Sequence, residues 1–286
     1  MNILKTLGLG VAMTFSVGAF AQEQSTTAAS NPSARPIPES DMMYRKTVWR
    51  TIDLREKQNK PLFADGRQIT KIIIDAVKRG ELPIYKNDSL TTTLTQQEFT
   101  SNMTMVDEGG GLTEEEKALG FDEPTADDGW GDVPGADAAA AAAPVSNEYF
   151  PQDLYQLEMK EDAIFDKKRS RMYHDIKSLT LVVPASLKAN IKGRDIPVGT
   201  FKYSDLVKVF RDHPQEAIWF NPRNDAQHRN LADAFDLRLF SSFITKVSNP
   251  DNASLEDIYG GPQQGILAAQ NAAEQMIEYE YNLWSF

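Results

Sequence analysis

Four carboxylates between positions 158 and 166 are the strongest candidates for chemistry in this sequence. They are Glu158, Glu161, Asp162 and Asp166. Two carboxyl groups held a few ångströms apart can act as the acid and base of a hydrolase. Basic residues interleave with them at spacings of three to five: Lys160, Lys167, Lys168, Arg169 and Arg171. Since opposite charges at such spacings pair along a helix, the stretch 160–175 favours an exposed, salt-bridged helix over a catalytic pair.

The other residue types that carry chemistry form no recognisable site. His174, His213 and His228 have no second metal ligand at helical or hairpin spacing, which favours surface or structural roles. The acidic patch Asp127 to Asp132 resembles a calcium loop but lacks the final glutamate of an EF-hand, so a solvated loop is favoured. Nucleophile-elbow, dinucleotide and phosphate-loop motifs are missing. The sequence therefore predicts no catalytic, cofactor-binding or metal-binding residues, and a protein that is not an enzyme.

The spacing of apolar residues predicts the elements that would position these groups. Gln68 to Arg79 has helical spacing and is followed by Gly80, a residue that suits a helix C-terminus. The alternating, β-branched run Ile176 to Val183 predicts a strand. Further helices are predicted around Leu206 to Phe210, over Leu231 to Val247, and over Gly265 to Trp284, whose aromatic end packs on the domain.

The first 21 residues are typical of a secretory signal peptide. A lysine-containing start precedes the apolar stretch Thr6 to Phe20 and a small-x-small triplet, which predicts cleavage after Ala21. That stretch is shorter than the roughly 20 apolar residues that a membrane-spanning helix needs. The sequence has no cysteine, so we expect neither disulfides nor a lipid on the mature N-terminus, and a soluble exported protein.

Two segments have compositions that oppose folding. Residues 22–40 are rich in Ser, Thr, Ala and Pro, which predicts a flexible leader. Residues 106–147 combine a triple glycine, an acidic run and six consecutive alanines, which predicts a disordered acidic insert. Eleven acids and one base lie between Asp107 and Asp137, so this run carries most of the net charge of −11. The parts expected to fold are nearly neutral.

The remaining ranges, 41–105 and 148–286, are expected to form the two parts of an α+β fold. Their length suits either one medium domain or two small ones. A helix followed by a short apolar segment occurs in both parts, ending at Tyr85 and at Phe220, so two small related halves remain an alternative. The basic cluster Lys167 to Arg171 has few interleaved aromatics for base stacking, which favours a protein-facing patch over nucleic acid binding.

Five ordered stretches carry a family resemblance. They are Val48 to Leu62, Lys160 to Met172, Phe220 to Ala226, Asp236 to Asn249 and Asn282 to Phe286. Together they resemble the gliding-motility protein GldN family, called PorN in non-gliding relatives, of the Bacteroidetes type IX secretion system. The acidic insert is longer and more biased than the family pattern. Some gliding species also have a paralogue, GldO, and the sequence leaves open whether this chain is GldN or GldO.

The resemblance implies a non-catalytic structural protein of the periplasm, peripheral to the inner face of the outer membrane. It implies binding to the outer-membrane lipoprotein GldK/PorK, formation of a ring with it, and contact with the periplasmic shaft of GldM/PorM. It does not say which residues contact each partner. The residues themselves leave open another class, a periplasmic carbohydrate-active or substrate-binding domain that uses Glu158, Glu161 or Asp166.

Overall fold

The computed structural model describes residues 37–105 and 148–283. The predicted signal peptide 1–21, most of the predicted leader 22–40, and the acidic insert 106–147 with its calcium-like patch lie outside the described residues.

A seven-stranded antiparallel sheet forms the centre of the described part of the chain. In spatial order its strands are β11 (Phe243–Val247), β1 (Met42–Asp53), β6 (Gln156–Asp166), β7 (Arg171–Val183), β8 (Ile196–Lys202), β4 (Ile84–Tyr85) and β5 (Thr93–Leu94). Two small pairs lie outside this sheet: β2 (Phe63–Ala64) with β3 (Arg67–Gln68), and β9 (Ile218–Trp219) with β10 (Arg229–Asn230). The long strands β1, β6 and β7 pair along most of their length and define the long axis.

Six α-helices pack around the sheet within the described residues. They are α1 (Ile69–Lys78), α2 (Gln96–Met103), α3 (Tyr203–Asp212), α4 (Leu231–Asp236), α5 (Leu255–Tyr259) and α6 (Pro262–Leu283). None of the helices in this part of the chain is long and apolar enough to cross a membrane.

The helices cover one face of the sheet in two groups. Alternate residues of a strand share a face, so Val48 and Ile52 of β1 point to the same side. Ile52 belongs to the main hydrophobic core, which α1, α2, α3 and α4 complete. Val48 belongs to a smaller cluster with Leu255 of α5 and Ala268 of α6. The covered face therefore carries two apolar regions, one near the middle of β1 and one near its C-terminal end.

Several predicted elements are confirmed. The helix predicted over Gln68 to Arg79 is α1, and Gly80 after it has a φ of 76°, which glycine adopts readily. The strand predicted at 176–183 is the second half of β7. The ring of Tyr279 near the end of α6 packs on that of Tyr44 with centroids 4.5 Å apart, as expected for an aromatic helix end that packs on the domain.

The exposed helix predicted at 160–175 is wrong, because this stretch forms parts of β6 and β7 and the turn between them. Leu157 and Met159 alternate with Glu158 and Lys160, and the two apolar side chains are fully buried. The period of two decides the structure, because burial of apolar side chains outweighs weak pairing between charges along a helix.

The long helix predicted over Leu231 to Val247 is also wrong. Its first turns form α4, but the backbone of Arg238 adopts a φ of 52°, which a continuing helix cannot accommodate. The chain then extends into β11.

Both parts of the chain contribute to one core. Ile73 of α1 and Leu206 of α3 lie in the same hydrophobic cluster. The short strand after α1 joins the central sheet, whereas the one after α3 pairs in a separate sheet. The chain is therefore one α+β domain, and the alternative of two small related halves is wrong.

Candidate functional site

A buried ionic cluster lies on the covered face of the sheet, between its two apolar regions. At its centre the Glu161 side chain of β6 is 0% exposed. Arg50 of β1 donates from Nε to Glu161 Oε1 at 2.6 Å. Arg238, which follows α4, donates from Nη1 to Oε2 at 2.6 Å and from Nη2 to Oε1 at 3.3 Å. His174 of β7 places Nδ1 3.3 Å from Oε1. Both carboxylate oxygens are thus engaged by protein groups.

These neighbours keep Glu161 ionised. Burial by itself would raise the pKa of this carboxyl, because a low dielectric disfavours the charged form. The His174 ring and the guanidinium groups outweigh burial and hold the pKa of Glu161 well below its usual range. A carboxylate with so low a pKa is a poor general acid or base near neutral pH. Its role is to hold strands and loops together.

The cluster joins stretches that lie far apart in the sequence. Arg50, Glu161 and Arg238 belong to three of the five stretches that carry the family resemblance. A second link connects the first and the last of these three: buried Asn59 donates from Nδ2 to Ser241 O at 3.0 Å and accepts from Ser241 N at 2.7 Å. The resemblance therefore includes residues that fix the relative positions of β1, β6 and the segment before β11.

Asp162 and Asp166 also have structural partners. Asp162 accepts hydrogen bonds from Arg45 Nη2 and from Thr47 Oγ1, both at 2.7 Å. Asp166 ends β6 and accepts a hydrogen bond from the backbone N–H of Lys168 at 2.8 Å, within the turn that leads to β7. These two carboxylates stabilise strand pairing and a hairpin turn.

Glu158 is half-buried on the uncovered face, and burial raises its pKa. Glu161 lies on the opposite face, because the two positions differ by an odd number of residues in one strand. Asp162 shares the face of Glu158 but lies about 13 Å along the strand at 3.3 Å per residue. Glycosidase carboxyl pairs are roughly 5–9.5 Å apart. The strand geometry therefore gives no support to an acid/base pair among these carboxylates.

The three histidines sit in structural contacts. Besides His174 beside Glu161, His213 Nε2 lies 2.9 Å from Glu81 Oε2. His228 Nδ1 accepts a hydrogen bond from Asn221 N at 3.1 Å. In residues 37–105 and 148–283, no group of three or more His, Cys, Asp or Glu side chains is arranged to hold a metal ion. Each histidine thus lies beside a protein group, an arrangement compatible with the surface or structural roles predicted for them.

An open groove of about 1250 Å³ lies beyond the end of β1. We call it the basic groove. Its apolar lining includes Pro61, Phe63, Phe220 and Pro222. Its charged lining consists of Arg55, Lys57, Lys60 and Arg67 with one acid, Asp65. The backbone N–H of Phe220 donates to Pro61 O at 3.0 Å and so joins the two walls. This combination suits a protein segment with both acidic and apolar side chains.

Sequence reasoning missed the basic groove, because no local motif encodes it. Its bases lie in the segment 55–67, whereas Phe220 comes from a turn more than 150 positions later. The basic cluster Lys167 to Arg171, predicted as a protein-facing patch, spans the exposed turn of the β6–β7 hairpin and the first residue of β7. There Lys168 pairs with Asp41 at 2.8 Å.

Comparison with known protein families gives a match over most of the chain. The family described as "Gliding motility associated protein GldN" matches residues 37–285. A search of the curated proteins finds no match. The matched range includes all of the sheet, the ionic cluster and the basic groove.

Proposed function

This chain belongs to the GldN family, and from that membership we propose that it is a non-catalytic structural component of the type IX secretion and gliding machinery. In this proposal it resides in the periplasm and forms a ring with the outer-membrane lipoprotein GldK/PorK. The ring meets the periplasmic shaft formed by GldM/PorM. The family match, which covers most of the chain, is the observation that carries this proposal.

The geometry of the carboxylates supports a role without catalysis. Glu161, Asp162 and Asp166 each satisfy a structural need, and about 13 Å of strand separates Glu158 from Asp162, the carboxylate on its own face of β6. The basic groove offers a surface of the mixed basic and apolar character that protein partners use. Both features suit a component that holds position within an assembly.

The N-terminal pattern supports the proposed compartment. Met1 to Ala21 has the order of a secretory signal, and the sequence contains no cysteine to which a lipid could be attached. A chain exported in this way reaches the outer membrane through a partner that is itself anchored there. The lipoprotein fills that role in the proposal.

The test is purification of the assembly from detergent-solubilised outer membranes with an affinity tag on the lipoprotein. We expect this chain to co-purify, and electron microscopy to show rings that contain both proteins. A strain that lacks the lipoprotein should release the chain into the soluble periplasmic fraction. Rings of the lipoprotein alone, with this chain free in the periplasm of the wild-type strain, would overturn the proposal.

A further inference from the structure

The C-terminal helices carry a surface that complements the basic groove. Between residues 248 and 283 the sequence contains six acids and no Lys or Arg. The acids are Asp251, Glu256, Asp257, Glu274, Glu278 and Glu280. We call the outward side of α5 and α6 the acidic helical surface; it consists of Ile258, Tyr259, Ile266, Leu267, Ile277 and Tyr281 together with Glu256, Glu274 and Glu278.

Helix α6 has an unusual distribution of apolar side chains. It buries small residues, Gly265, Ala268 and Ala269, against the domain. It exposes large ones: Ile266 is 67% exposed, Leu267 is 61% exposed and Ile277 is 67% exposed. A surface helix ordinarily places its large apolar side chains inward. Large apolar side chains that cluster outward mark an interaction surface.

Three of the four bases of the groove are available for a partner. Arg55 pairs with Asp53 at 2.9 Å. Within the described residues, Lys57, Lys60 and Arg67 have no carboxylate within ion-pair distance. Their apolar neighbours Phe63 and Phe220 are only partly buried and face the same space. The groove therefore presents bases and partly exposed apolar side chains, which complement the acidic and apolar side chains of the helical surface.

The two surfaces are separate in the described part of the chain, where no residue of α5 or α6 lines the basic groove. The C-terminal part of α6 lies over the start of β1, where Tyr279 contacts Tyr44. The groove begins after Asp53, at the other end of that strand. Nine residues of extended chain separate these ends by about 30 Å. Two different complementary surfaces on one molecule form a heterologous contact between copies, which produces a ring when the rotation closes.

We propose that the basic groove of one copy binds the acidic helical surface of the next copy. Ile266 and Ile277 enter the apolar space beside Phe63 and Phe220, and the lysines of the groove face the glutamates of α6. The inference rests on the proposed role in a ring, because it names the contact that joins neighbouring copies of this chain.

The absence of cysteine allows a direct cross-linking test. One protein carries Ala64→Cys in the groove, and a second carries Gln270→Cys on the outward side of α6. A matched control replaces the second protein with one that carries Lys188→Cys, an exposed position in the β7–β8 loop. Under mild oxidation we expect the groove–helix pair to give at least about fivefold more disulfide-linked dimer than the control, because docking raises the local concentration of the thiols. Equal yields would overturn the proposal.

Charge reversal provides the second test. Lys57→Glu with Lys60→Glu makes the groove acidic, and Glu274→Lys with Glu278→Lys makes the helix basic. Each variant alone should associate with itself about tenfold more weakly in sedimentation velocity, the combined effect of two surface ion pairs. An equimolar mixture of the two variants should recover association, because each altered surface then meets a complementary one. A control with Lys188→Glu and Lys192→Glu should behave as wild type.

Together with the co-purification experiment, these two tests distinguish failure of the groove–helix contact from failure of the proposed function. If the variants fail to complement each other but the chain still co-purifies with the lipoprotein in rings, the groove–helix contact is wrong and the proposed function stands. If the groove–helix cross-link forms but the chain is absent from the rings, the contact is supported and the proposed function fails.

Discussion

At the residue scale, Glu161→Gln keeps the shape of the side chain at the centre of the ionic cluster but removes its charge. The guanidinium groups of Arg50 and Arg238 then lie close together without a counter-charge. Breaking a buried pair by loss of one partner costs about 3–5 kcal/mol. We expect the free energy of unfolding at pH 7, measured by urea denaturation, to fall by about 3 kcal/mol. The exposed control Asp65→Asn should change it by less than about 0.5 kcal/mol.

The same variant has a defined pH dependence. The pKa of Glu161 is lowered in the folded protein, so its stabilising effect is fully present above the unfolded-state pKa, near 4.3. That effect is lost as the pH falls from there towards the folded-state pKa. Between roughly pH 4.3 and pH 3, the wild type should lose stability more steeply than Glu161→Gln. Identical slopes for the two proteins would show that the ionised carboxylate contributes nothing to stability.

Asn59 is an uncharged residue that, like Glu161, joins β1 to the segment before β11. Its fully buried side chain donates to Asp53 O and Ser241 O and accepts from Ser241 N. Asn59→Ala leaves these backbone groups without partners, and a buried unpaired group costs about 1–3 kcal/mol. We expect a loss of about 3 kcal/mol in the free energy of unfolding, since several groups are affected. A change no larger than that of the exposed control Asn87→Ala would contradict this role.

At the scale of elements, apolar spacing alone was enough for α1, α3, α6 and the second half of β7. Prediction from the sequence pattern failed in two places, where charged residues or a single backbone torsion determine the structure. In β6 the interleaved acids and bases suggested pairs along a helix, whereas Glu161 actually pairs with Arg50 on the neighbouring strand. In the stretch after Leu231 the periodicity continued past Asp236, but the left-handed backbone of Arg238 ends the helix. Cross-strand partners and single backbone torsions depend on tertiary contacts that one sequence does not display.

Helix α6 depends on close contact with α5. A Cβ atom placed on Gly265 would lie 3.0 Å from Glu256 Cα, which is backbone and cannot rotate away. Gly265→Val should therefore separate the two helices and destabilise them by about 1–3 kcal/mol. Hydrogen exchange should show faster exchange in α5 and α6, with little change in α1. The control Gln264→Val adds the same side chain at the neighbouring exposed position. Equal protection in α6 for both variants would contradict this account.

At the scale of the whole molecule, the α+β class and the family were accessible from sequence because they depend on composition and on long ordered stretches. The strand order could not be predicted from the sequence, because β11 pairs with β1 although nearly 200 positions separate them. The basic groove was equally hidden, since its walls come from residues near 60 and near 220. Surfaces that form from distant segments become visible only after the fold is known.

The structure at the borders of the acidic insert suggests that the domain folds without it. Thr104 forms a β-bridge with Glu148, and Tyr149 N donates to Met103 O at 2.8 Å, so the two ends already meet. Replacing residues 107–143 with a six-residue Gly-Ser linker shortens the connection to about a quarter of its length. Each halving of a loop lowers the entropic cost of closing it by about 0.6 kcal/mol. We expect a cooperative urea transition and a free energy of unfolding about 1 kcal/mol higher. A scrambled insert of the same composition should match wild type. Loss of the cooperative transition in the shortened protein would show that the insert contributes to the core.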